Sequence, residues 1–276
     1  MRLARRSIFG TLLSVTTVLA VATPHEPANP SAIWEEEIRT FEASDRQNPP
    51  PSGAILFVGS SSIRMWDLKK YFPDVPTINR GFGGSEMADS LAFAERIITP
   101  YRPRTIVIYA GDNDIAAGKS PAKVAEDFAR FVEKVRSSLA ETPIVTISIK
   151  PSIARWALHA KMADANQRIE SFAALANAVY FVDIAAEMLD EQRRPDSTLF
   201  VEDGLHLSER GYEVWTRILR EKLEALRLVP VSASDRSSAS QHGACLVPLS
   251  ITADGGSAWF SGGISRCVVF SNASPA

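Results

Sequence analysis

Residues 105–140 read TIVIYAGDNDIAAGKSPAKVAEDFARFVEKVRSSLA, and this stretch holds one complete unit of the pattern that runs through the chain. Thr105 to Ala110 is a short, unbroken apolar run, which predicts a strand buried on both faces. Beyond the polar GDND turn the period changes. Val124, Phe128, Phe131, Val135 and Leu139 recur at intervals of three or four with charges between them, which predicts an amphipathic helix over 121–140. Pro121 suits its first turn. Working outward, Ala54 to Val58, Ile144 to Ile149 and Val179 to Val182 are also apolar runs followed by amphipathic stretches, and Val75 to Ile78 adds a short one. Tyr212, Trp215, Leu219 and Leu223 mark a last helix, with Ser208 placed to cap it. Continuous apolar strands alternating with helices predict an α/β domain with a five-stranded parallel sheet covered on both faces.

Residues 54–228 carry this pattern; the flanks do not. Residues 1–22 place Arg2, Arg5 and Arg6 ahead of an apolar stretch ending in Ala20-Val21-Ala22, the layout of a cleaved export signal, so the protein is expected in the periplasm or outside the cell. Residues 23–53 read as a leader and a helix from Ser31 to about Asp45, closed by Pro49-Pro50-Pro51, which favours extended chain. In the tail, 229–276, Ser, Gly and Ala make up 23 of the last 46 residues with four charges, so it is not more of the same domain. It holds both cysteines. In an exported protein Cys245 and Cys267 can close a small hairpin of 246–251 and 268–270 through a disulfide worth ~3 kcal/mol.

The formal charge is -2, and it becomes -5 once Arg2, Arg5 and Arg6 leave with the signal. A mildly acidic chain is a poor polyanion binder, so nucleic acid is excluded as a partner. No further segment approaches a membrane span. His25, His159, His206 and His242 show no metal-binding spacing with each other or with the cysteines, so neither metal nor cofactor is expected.

Four short blocks carry the chemistry: GSSS at 59–62, NRGFGG at 79–84, GDND at 111–114 and DGLH at 203–206. Each taken alone reads as an ordinary polar turn. Their positions argue otherwise, because ligands of an open parallel sheet gather beyond the carboxyl ends of its strands, and three blocks directly follow apolar runs. A serine hydroxyl needs a base, and His206 is the well-placed one. Asp203, three residues earlier, lies within reach of one imidazole nitrogen and leaves the other to face a serine. Backbone N–H groups at Gly84 and the serine, with the side-chain amide of Asn113, are candidate donors to an oxyanion. NRGFGG fails as a dinucleotide fingerprint, since Glu86 stands where a third glycine is required.

With these blocks in this order, residues 54–226 resemble the SGNH, or GDSL-like, hydrolase family. The resemblance implies a three-layer α/β/α sandwich with flavodoxin-like strand order. It also implies Ser61 as nucleophile, Gly84 and Asn113 with the Ser61 amide as the oxyanion hole, Asp203 as acid and His206 as base. Ser60 departs from the pattern, standing where the family usually has aspartate, as does Ser62 in place of leucine. The expected activity is hydrolysis of carboxylic esters through an acyl-enzyme. Loops after the strands read as short, which points to small acyl groups such as acetate, with Arg155 and Trp156 as candidate substrate contacts. Two other readings use the same parts: an acyltransferase that hands the acyl group to a sugar hydroxyl, and a non-catalytic module that binds acylated glycans. Product analysis with added alcohols separates the first, and inertness toward a fluorophosphonate marks the second. Oligomeric state is not written in the sequence.

Overall fold

The computed structural model describes residues 30–229. The expected signal at 1–22 and the cysteine-bearing hairpin lie outside them. Five strands, β1 (Ile55–Gly59), β2 (Thr77–Gly81), β3 (Thr105–Tyr109), β4 (Ile144–Ile147) and β5 (Val179–Val182), form one sheet in the order β2-β1-β3-β4-β5. Every pairing is parallel, as the buried apolar runs require. Because side chains alternate across a strand, each run feeds two cores. Leu56, Val58, Ile106, Ile108 and Ile144 face one side; Ile55, Phe57, Val107, Tyr109, Val145 and Ile147 face the other.

The helices divide accordingly. On the first side lie α1 (Glu35–Gln47), α4 (Met87–Ala92), α5 (Ala94–Ile97), α7 (Pro121–Arg136) and α8 (His159–Leu175), contributing Ile38, Met87, Ile97, Phe128, Phe131 and Ile169. On the second lie α2 (Ser61–Arg64), α3 (Leu68–Tyr71) and α9 (Glu209–Ala225). One further short helix, α6 (Asp112–Ala116), sits at the carboxyl edge after β3. The amphipathic stretch read at 121–140 forms α7, whose N-cap Ser120 accepts from the Lys123 N–H, and Ser208 caps α9 by accepting from the Gly211 N–H.

Three expectations shift. The second strand begins at Thr77 rather than Val75 and runs through Asn79, Arg80 and Gly81, the start of a block whose residues alone read as a polar turn. Those polar residues are paired: Asn79 donates to the Ile63 carbonyl and accepts from the Gly81 N–H, while buried Arg80 binds Asp45 at 2.6 and 2.7 Å and lies over the Phe41 and Tyr101 rings. The helix at 35–47 therefore covers this edge of the sheet. The fourth strand stops at Ile147, because the Asn166 side chain takes over both backbone groups of Ile149, at 2.7 and 3.0 Å. Finally, the connection from β5 to α9, residues 183–208, is not short; it carries two single-turn 3-10 segments and two isolated antiparallel bridges.

Candidate active site

Strand β1 delivers its chain end to the edge where strand order reverses, between β1 and β3, the place an open parallel sheet offers a ligand. Gly59 makes the exit possible. It sits at φ 134°, and a Cβ there would lie 1.9 Å from the Tyr109 carbonyl oxygen. Ser60 then donates its N–H to that carbonyl at 3.0 Å, and Ser61 opens α2, where a backbone N–H has no partner within the helix.

The triple serine resolves into three environments. Ser60 and Ser62 are each 1% exposed. Ser62 Oγ lies 3.4 Å from the Lys150 ammonium, and the Ser60 hydroxyl has no hydrogen-bond partner among the described residues. Ser61 Oγ alone of the three lies beside His206 Nε2, at 3.1 Å. On the far side of the ring, His206 Nδ1 is 2.6 Å from Asp203 Oδ2. An ionised carboxylate only accepts, so Nδ1 carries the proton and Nε2 is left to receive one from the serine. The other Asp203 oxygen accepts the N–H groups of Leu205 and His206, at 2.8 and 2.9 Å. The same carboxylate thus makes the turn and orients the imidazole. These bonds, that of the imidazole first, hold the Asp203 carboxyl down at about 2.

The turn is also tied to the chain after β4: Ala154 donates to the Gly204 carbonyl at 3.0 Å. Behind Ser61, Trp66 packs among Phe57, Phe72, Tyr212 and Trp215, and Tyr212 donates to the Ser62 carbonyl at 2.9 Å. The second core therefore braces α2 directly.

Gly84 sits at φ 78° in the loop after β2, with Trp34 of the N-terminal segment 3.4 Å from where its Cβ would be. Asn113 Nδ2 donates to the carbonyl of Ser85, next to Gly84, at 2.9 Å. Buried Asp114 accepts the Met87 N–H at 3.0 Å and the Lys119 ammonium at 2.9 Å, which fastens the two loops together. Burial outweighs these partners and raises its carboxyl.

Arg155 and Trp156, read as substrate contacts, take different positions. The Arg155 guanidinium turns inward, 3.0 Å from Asn113 Oδ1 and 3.1 Å from Asp112 Oδ2. Trp156 stacks on His159, lies under the Arg194 guanidinium, and borders a cleft of about 410 Å³ with Ile153, Asp190, Asp196 and Ser197. Sequence reasoning passed over Asp112 and Lys150. Lys150 is 1% exposed and bonds Asp112 Oδ2 at 3.0 Å and the Tyr109 hydroxyl at 3.1 Å. Burial works against the ionised Asp112 carboxyl, yet Lys150 and Arg155 outweigh it and hold the carboxyl below its ordinary range. The sequence carries a weak signal for Lys150, which follows the apolar run at 144–149, three residues past the end of the strand. Among the described residues no His, Cys, Asp and Glu cluster could hold a metal, and no helix is long and apolar enough to cross a membrane.

The sequence pattern of the GDSL-like lipase/acylhydrolase family matches residues 62–214. A search of curated proteins finds no match. Similar solved structures include a Streptococcus pneumonia protein provisionally described as a platelet activating factor, 23% identical, with a TM-score of 0.63 over 70% of this chain and 94% of that one. A GDSL-like lipase from Bacteroides thetaiotaomicron is 20% identical, with a TM-score of 0.59 over 68% of this chain and 98% of that one. A catalytic mutant of an acetylxylan esterase from Geobacillus stearothermophilus is 15% identical, with a TM-score of 0.52 over 62% of this chain and 94% of that one. At these identities the likeness is one of fold.

Proposed function

Because the chain belongs to the GDSL-like lipase/acylhydrolase family, we propose that it is a serine esterase in which Ser61 is the nucleophile, His206 the general base and Asp203 the acid that orients it. The observation that carries this reading is the hydrogen-bonded series from Ser61 Oγ through both imidazole nitrogens to Asp203, at 3.1 and 2.6 Å. The Ser61 hydroxyl attacks an ester carbonyl as His206 Nε2 takes its proton. The negative oxygen is received by the N–H groups of Ser61 and Gly84 and by the Asn113 amide. Collapse expels the alcohol, protonated by His206, and leaves an acyl-enzyme. Water activated by the same imidazole then releases the acid.

The alcohol side is read as polar and the acyl group as small, acetate being the model case. Support comes from the cleft beside the DGLH turn, where Asp190, Asp196 and Ser197 join Ile153 and Trp156, a mixed lining that suits a hydroxyl-rich partner better than a long alkyl chain. Export through residues 1–22 belongs to the same reading, and the secreted protein is expected to begin near residue 23.

Fluorophosphonate labelling with peptide mapping tests the core of this function. The probe should modify Ser61 and leave Ser61→Ala unmodified. An unlabelled wild-type protein that also spares aryl acetates sinks the esterase reading. A chain-length series that favours long acyl groups over acetate sinks the substrate reading alone.

A further inference from the structure

We propose that Arg155 is a positioning residue that sets the amide of Asn113 for its oxyanion role, held in place by the buried pair Asp112–Lys150. The inference rests on the reading of Asn113 as an oxyanion donor and goes beyond it.

Asn113 is fixed from both ends. Its Oδ1 accepts from Arg155 Nη2 at 3.0 Å, and its Nδ2 donates to the Ser85 carbonyl at 2.9 Å. A flipped amide would set Nδ2 against the guanidinium and Oδ1 against a carbonyl, two repulsive contacts in place of two hydrogen bonds. Nδ2 has a second hydrogen, and that one is left for the substrate oxygen. A cation at Oδ1 also polarises the amide and strengthens its N–H as a donor.

The way Arg155 meets its carboxylate shows that Asn113, and not ion pairing alone, dictates its pose. Arg80 reaches both oxygens of Asp45 from one nitrogen, at 2.6 and 2.7 Å. Arg155 approaches a single oxygen of Asp112 through Nη1, at 3.1 Å, and the other oxygen, Oδ1, is buried without a side-chain partner among the described residues. A guanidinium free to optimise its ion pair would take both oxygens as a fork. This one gives up that arrangement and turns Nη2 to the amide.

Asp112 stays in place because Lys150 shares it, at 3.0 Å, anchored in turn by the Tyr109 hydroxyl. Two cations against one carboxylate leave the cluster with a surplus positive charge behind Asn113. That surplus faces the place where negative charge develops during attack, and it is built in before substrate arrives.

A double-mutant cycle on the full-length mature protein, with kcat and KM for an aryl acetate, is the test. Arg155→Ala should lower kcat roughly 10²-fold with little change in KM, the scale expected for a misplaced reacting group. In the Asn113→Ala background the same substitution should cost almost nothing more. Methylguanidine in solution should restore part of the Arg155→Ala rate. If Arg155→Ala does not fold, Arg155→Lys keeps the charge but cannot bridge the two partners, and it should also lose kcat. Wild-type kcat in Arg155→Lys, a change confined to KM, or losses that multiply in the double variant overturn the proposal while leaving Asn113 its role. Undiminished kcat in Asn113→Ala removes the oxyanion reading and this proposal with it.

Discussion

Two carboxylates at the same sheet edge live in opposite conditions. Asp112 is buried between Lys150 and Arg155, whereas Asp203 stands half in solvent on a turn and pairs with one imidazole. Asp112 is expensive to place, since an ion taken out of water must be matched by charge and hydrogen bonds, and breaking such a match leaves an uncompensated charge inside. Asp203 costs little to place and can be lost without disturbing the core. The difference predicts that the two halves of the site fail differently: the DGLH turn through rate, and the cluster behind GDND through stability as well.

The largest expected effect is on Ser61→Ala, with kcat for an aryl acetate falling roughly 10⁶-fold while the urea midpoint stays near the wild-type value. Asp203→Asn follows at roughly 10⁴-fold, because the wrong tautomer is then favoured, with a midpoint lowered far less than by a core substitution. A midpoint that drops as far as in core variants would erase the contrast drawn above. On the buried side, Lys150→Met should cost roughly 3–5 kcal/mol of folding stability, read from urea unfolding, since Asp112 loses the partner that offsets its burial. Trp66→Ala, in the aromatic core that braces α2, should cost about 3–5 kcal/mol by leaving a cavity behind Ser61.

The smallest effect sharpens the comparison through pH. The Asp203 carboxyl is lowered in the folded state from 3.8 to about 2. A depressed acid contributes its stability above pH 3.8 and loses it as pH falls through about 2. From pH 4 to 8 that carboxylate therefore stays ionised, and the extra stability of wild type over Asp203→Asn, read from urea unfolding, should fade only below pH 4. Loss of that difference above pH 4 would mean that the carboxylate already titrates there.

The fold was legible because burial on both faces leaves a plain trace: runs such as IVIY carry large apolar side chains on successive residues. The strand through Asn79 and Arg80 was not, since its polar residues are satisfied by Asp45 and by the carbonyl of Ile63, partners distant in sequence. Spacing and order single out Asp203, His206 and the triple-serine turn, the family resemblance implies Ser61 among the three, and the structure brings Ser61, His206 and Asp203 together. Three adjacent serines look alike in sequence, whereas burial of Ser60 and Ser62 separates them physically. Arg155 is read as a candidate substrate contact from its place just after the fourth strand; that its guanidinium meets Asp112, and Asp112 meets Lys150, is not written there. Chains of dependence of that kind have no local signature.

The account stands on an acyl group passing through one hydroxyl. Acid quenching of aryl acetate turnover in the first moments, followed by fragmentation mapping of the 59–64 peptide, measures this directly. An acetyl group on Ser61 Oγ, absent in Ser61→Ala, is the predicted result. Turnover that proceeds with the acetyl on Ser60 or Ser62, or with no covalent acetyl at any time, would contradict it.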